Sequence, residues 1–439
     1  MRNIIICYEL SKCRRMSEWN ICMATNTESY SVLYRISLVI IVGTTLYELK
    51  SSDIVSISIM NNYDTRTFPI VRIRLETELD MMEMIGEYPN DIKIEMALDG
   101  GMYKLSSDGS IPICVDVAST INLNMKGYVE NKNTPTSSMD QFVDGIKKQS
   151  DLNVNIKVPI EIYGYNPSMV YYMKRQCQSI YKDMTITSVI DDMLDRGSVL
   201  PYQMDPLHQQ EKFSQILIPN MNILQGLSYL ESYYGMHETG SQVYGDIDGT
   251  LYIASTDTRN VVQLTDIIPI YVTGYQNNTD QSGYVMLSSS TYYRTTKATN
   301  VSVLSETDLE KYQQSRVIGD INMVTSNINS TSLDLVYDDN DGELGNLGTP
   351  NIMHKHVNPF VSTMYAARIQ EKTTHIDVSG TGFDIGNMKI YSRYNLIFES
   401  PIRGIDMSAF YRATYINHVL GNVGNNLFCA STTMSLCRN

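Results

Sequence analysis

The chain has 439 residues, of which 43% are hydrophobic and 19% charged, a balance that supports sizeable cores in roughly two to four domains and excludes global disorder. Its formal charge is −14, from 34 basic and 48 acidic residues, and the densest basic stretches are only Lys12 to Arg15 and Lys174-Arg175. A protein that holds nucleic acid non-specifically needs clustered Lys and Arg to release counterions, so that class is excluded and a surface that repels DNA is expected.

Residues 1–22 carry some basic charge and the run Ile4-Ile5-Ile6-Cys7, without a signal-peptide core or a small-residue cleavage site. Met23-Ala24-Thr25 reads like a second start, so residues 1–29 are taken as an N-terminal extension. The most apolar run, 31–47, is interrupted by Arg35 and is too short for the roughly 20 apolar residues a bilayer needs. A buried strand is expected there, and no stable membrane insertion.

Residues 30–130 have the period of half-buried strands. Ile54 to Ile59, Ile70 to Leu75 and Asp91 to Met96 alternate apolar with polar, and Asn61-Asn62-Tyr63-Asp64 is a turn cluster. Gly100-Gly101 is expected to break the third strand, 111–129 to supply one or two more, and Glu78 to Ile85 a helical turn. Residues 131–153 read as a linker holding a short helix near Met139 to Lys148.

Residues 154–256 change character. After a strand at Val154 to Tyr163, Thr185 to Gly197 predicts a short helix capped by Thr185 or Thr187, with Val189, Ile190, Met193 and Leu194 on its apolar face. A strand follows at Phe213 to Ile218. A second helix over Asn222 to Tyr234 carries Ile223, Leu227, Leu230 and Tyr234 on one face and stops at Gly235. Gln242 to Asp246 and Thr250 to Ala254 then form a hairpin about Asp248-Gly249. Residues 257–375 are strand and loop without assignable domain status. Over 376–439 the alternation resumes at Ile376 to Val378, Met388 to Phe398, Tyr411 to Leu420 and Asn426 to Leu436.

Candidate chemistry is thin. Asp246-Ile247-Asp248-Gly249 and Asp338 to Gly342 suggest calcium loops, but Tyr244 and Tyr337 stand where an EF-hand needs its first acid, and Ser255 and Gly348 where it needs its last. Among the histidines (His208, His237, His354, His356, His375 and His418), His354-Lys355-His356 lacks a completing carboxylate or thiol, and His418 reads as a satisfied structural residue. Seven cysteines (Cys7, Cys13, Cys22, Cys114, Cys177, Cys429 and Cys437) form no CxxC pair, so reduced thiols are expected rather than disulfides or zinc. Gly380-Thr381-Gly382 lacks the third glycine of a dinucleotide loop, and hydrolase and phosphate-loop motifs are missing. No catalytic, cofactor-binding or metal-binding residue is therefore assigned, no cofactor is expected, and the protein reads as non-enzymatic. The 31 Tyr against 8 Phe suit sheet surfaces and wet interfaces.

The block from Ile186 to Gly197, then Phe213 to Pro219, then Asn222 to Gly235 and the hairpin at Gly249 to Ile253 resembles the middle domain of contractile-tail hub proteins. These are the T-even phage hub, the late control protein D family and the hub part of type VI secretion spikes. Tyr411 to His418, followed by Thr432 to Leu436, is similar to that family's closing strands. The resemblance implies a β-rich α+β fold, in which two tail-tube-like antiparallel β-barrels flank a smaller α/β insert. It also implies a baseplate hub in the virion, assembled in the host cytoplasm. There a homotrimer would match the hexameric tail tube protein to a threefold central spike protein, beside other baseplate proteins, with DNA passing through the lumen only in transit during genome ejection. The alternatives are another tail-tip component (distal tail, wedge or receptor-binding adaptor protein), a tail-associated cell-wall hydrolase, and a soluble host-binding module.

Overall fold

Period-two alternation does in three dimensions what it promises in sequence. The computed structural model describes residues 28–62, 68–104, 112–129, 157–195, 201–247, 249–256, 267–272, 283–286, 291–295, 297–299, 358, 360, 364, 375–389, 392–398 and 408–438. Strands β1 (Glu28–Val42), β2 (Thr45–Leu49), β3 (Ile54–Asn62), β4 (Ile70–Thr77), β5 (Ile92–Lys104), β6 (Ile113–Tyr128) and β7 (Val158–Tyr165) lead the chain, with helix α1 (Leu79–Glu87) after β4. In β5, Ile92, Ile94, Met96 and Leu98 face inward while Lys93 and Glu95 face solvent. Each such aliphatic contributes roughly 1.5–3 kcal/mol by burial.

Two expectations for this stretch are corrected. The run 31–47 is not one strand, because the chain reverses at Gly43, at φ +59, and β2 pairs back on β1. Gly100-Gly101 does not break β5 but lies inside it, where the β6 register shifts. A Cβ at Gly100 would stand 2.9 Å from the Tyr34 ring, so the glycine lets that buried ring lie against the strand.

The middle block is compact and local. It holds β8 (Gln176–Tyr181), β9 (Met184–Thr185), β10 (Tyr202–Met204), β11 (Lys212–Phe213), β12 (Ile216–Asn222), β13 (Ser241–Gly245) and β14 (Leu251–Ser255). Helices α2 (Pro167–Lys174), α3 (Ile186–Asp195) and α4 (Ile223–Tyr234) pack among them. The Thr185 hydroxyl accepts from Ser188 N at 3.3 Å, as the capping expectation requires. Around α4, Asn222 and Gln225 form a reciprocal capping box, and Gly235 ends the helix at φ +75. Helix α2 went unread in the sequence, although Asn166-Pro167 supplies its cap and first-turn proline. Phe68, just before β4, enters this block's core and stacks on Tyr172 at 6.0 Å.

The rest of the described chain comprises β15 (Ile267–Val272), β16 (Gly283–Met286), β17 (Thr291–Thr295), β18 (Lys297–Thr299), β19 (His375–Thr381), β20 (Arg393–Phe398), β21 (Ala409–Gly424) and β22 (Leu427–Arg438). Met388, expected to open a strand, instead lies in a turn before β20.

Pairing follows one path with a return. The order β1–β5–β6–β7–β4–β3–β21–β22 closes on itself, because Leu33 and Tyr34 of β1 pair with Cys429 and Phe428 of β22. Beyond that circuit β22 pairs with β19 and on to β18, while β21 pairs with β20 and on to β15, β17 and β16. The antiparallel expectation needs one amendment: β15 runs parallel to both β17 and β20, and β10 parallel to β14. One core cluster fills the eight-strand circuit, a second the helical block and a third the C-terminal β unit. Among the described residues no helix is long and apolar enough to cross a membrane.

Candidate functional site

The cores meet at one short loop, residues 382–389, between β19 and β20. Gly382 at φ +71 turns the chain out of β19; its nitrogen donates to Ala430 O at 2.9 Å and its carbonyl accepts from Val32 N at 2.9 Å. A Cβ there would stand 2.8 Å from the Ser31 hydroxyl, so the close approach and the turn both call for glycine. The next residues then diverge. Phe383 enters the C-terminal core and Ile385 enters the core of the circuit, and both are buried.

Asp384, between them, is buried and densely bonded. Its carboxylate accepts from Tyr34 Oη at 2.9 Å, Ser119 N at 3.3 Å, Gly386 N at 3.2 Å and Asn387 Nδ2 at 3.0 Å, and also from the Ser119 hydroxyl. Tyr34 Oη in turn accepts from Ile385 N at 2.7 Å. Burial, reinforced by the Asp384 charge, pushes the Tyr34 phenol well above its usual range, so it stays a protonated donor. A buried carboxylate is tolerated only when so satisfied. This one ties β1, β6 and the loop together.

His418 holds the hairpin to the same loop. It lies opposite Thr432 in the β21–β22 register, with Nδ1 at 2.9 Å from the Thr432 hydroxyl. Burial lowers its pKa to about 4, against an opposing hydrogen bond with the Met388 backbone. A neutral, partnered ring on a strand is the structural role read from the sequence. Between loop, hairpin and circuit lies a cleft of about 410 Å³, bordered by Asn61, Ser119, Asn122, Asp246, Lys389 and His418.

The other singled-out residues divide clearly. Asp246 serves its own turn, accepting from Ile247 N at 2.6 Å, while Asp248, Asp338 to Gly342, His354, His356, Cys7, Cys13 and Cys22 lie outside the described residues. His208 and His237 meet through their Nδ1 atoms at 3.3 Å. Burial and the neighbouring His208 bring His237 down to about 4. Among the described residues no three His, Cys, Asp or Glu side chains are arranged to hold a metal ion.

One arrangement escaped sequence reading. Across β19 and β22, Cys437 Sγ stands 3.8 Å from His375 Nδ1, and His375 Nε2 stands 3.0 Å from Asp377 Oδ1. Thiol, imidazole and carboxylate in that order suit nucleophilic catalysis. Cys437 is only 3% exposed, however, so substrate has no approach to its sulfur. Ser435 Oγ also donates to Asp377 at 2.6 Å, completing a cross-strand row that binds the two strands together. The two halves of the row, one on each strand, lie 58 or more positions apart and only register unites them, so no motif search could find it.

The fold and this junction define a strand-dominated α+β protein whose parts are fastened by buried hydrogen bonds. The chain belongs to the family described as bacteriophage PBS1 gene 109 protein, whose model matches residues 21–436. No curated protein matches. Among solved structures it is similar to a 43 kDa tail protein of prophage MuSo2 from Shewanella oneidensis, at 11% identity and TM-score 0.45, covering 92% of this chain and 98% of that one. A prophage tail protein, gp18, from Listeria monocytogenes is similar at 9% identity and TM-score 0.39, covering 92% and 94%. The E. coli c3393 protein, a component of the type VI secretion system, is similar at 7% identity and TM-score 0.37, covering 88% and 74%.

Proposed function

We propose that this chain is a non-enzymatic structural protein of a phage tail, and within the tail the baseplate hub that adapts the tube to the central spike. Family membership supports a phage role. The observation that carries the hub reading is the β21–β22 hairpin, whose tip half completes the eight-strand circuit and whose base half carries β19 and β20. One rigid hairpin through two β units suits a body that transmits force along an axis without flexing between its halves.

In this reading the circuit built mainly from residues 30–130 is the first tube-like barrel, 154–256 the insert, and 376–439 the strands completing a second barrel. Three subunits then present six barrel-like units to a hexameric tube and a threefold face to the spike. With its net charge of −14, the ring wall lets DNA slide through without holding it. Assembly takes place in the host cytoplasm and the product resides in the virion baseplate.

Electron microscopy of the particle tests this. A threefold ring with an axial pore between tube and spike is expected; a sixfold ring or a peripheral position assigns the chain to another tail-tip role. A wall hydrolase is the second reading, favoured only by the Cys437-His375-Asp377 row. Zymography with the purified chain is expected to show no clearing of bacterial wall.

A further inference from the structure

We draw no further inference here: the strongest candidate, the cleft of about 410 Å³ between the 382–389 loop, the β21–β22 hairpin and the eight-strand circuit, belongs to the site already described, where Ser119, Asp246 and His418 already bond within the chain and nothing marks the chemistry of a ligand.

Discussion

The eight-strand circuit and the C-terminal β unit share a hairpin yet fill their interiors differently. Among the described residues, only Tyr34 and Phe428 of the 27 buried in the first core are aromatic, whereas six of 17 in the C-terminal core are: Tyr244, Tyr293, Phe383, Tyr394, Phe398 and Tyr411. Branched aliphatics pack between regular ladders without asking for anything polar. Tyrosines bring hydroxyls that need acceptors. Tyr394 finds Lys389 O at 2.5 Å, and Tyr34 finds Asp384, both on the loop at 382–389. The loop thus serves one hydroxyl from each core, Tyr34 from the circuit and Tyr394 from the C-terminal unit.

The largest expected effect comes from taking the loop's anchor out of the aromatic core. Phe383 is fully buried and meets Tyr293 edge-on at 5.0 Å, so F383A is expected to cost about 3–5 kcal/mol. In native-state hydrogen exchange, the amides of β19 and β20 lose protection first, while β3, β4 and β5 keep theirs. Equal loss across both units in one step would mean that the shared hairpin makes them a single cooperative block, and the contrast drawn above would fall.

Acid separates the parts more gently. His418 and His237 have folded pKa values lowered from 6.5 to about 4, both mainly by burial. Below 6.5 the unfolded chain takes up protons that the folded chain refuses. Stability is therefore fully present above that pH and falls as pH drops towards 4, by up to about 3 kcal/mol for each ring. Glu161, held down to about 2 chiefly by its Arg72 hydrogen bond, acts in a lower window: its contribution persists above its unfolded value of 4.5 and fades as pH falls through 2. Urea melts followed by circular dichroism at pH 7.5, 5.5 and 4.5 are expected to show declining midpoints, and H418Q to flatten the decline. Midpoints constant over that range would show that the rings are charged in the fold after all.

What was readable in advance follows the reach of the contacts. Helix α4 announces itself within fourteen residues, because the cap Asn222, the apolar face and the stop at Gly235 are neighbours in sequence. The strands of the circuit were legible as strands for the same reason: alternation is local. Their closure was not. Tyr34 reaches Asp384 across 350 positions, and Leu33 meets Cys429 across a comparable span, which no local pattern encodes. Gly380-Thr381-Gly382 falls short of a dinucleotide loop in sequence, and Gly382, at φ +71, turns the chain so that Phe383 and Ile385 part into different cores. Asn166-Pro167 is a local helix-start signal, but the helix it opens is only eight residues long and carries a weak apolar face, with Met169 and Tyr172 buried.

The smallest effect belongs to the block whose contacts are local. Asn222 Oδ1 accepts from Gln225 N at 2.9 Å, and Gln225 Oε1 accepts from Asn222 N at 3.1 Å, so N222A removes one half of a reciprocal cap. The expected cost is about 1 kcal/mol. Its signature is confinement: exchange should quicken in the first turn of α4 and in β12, leaving His237 and the two β units unchanged. Should the same substitution loosen β21 or β22, the helical block must be mechanically coupled to the hairpin, through Phe68 on Tyr172 and the 246–247 turn against the circuit. The protein would then be three cores that open together, and an insert so coupled could not move independently of the ring it decorates.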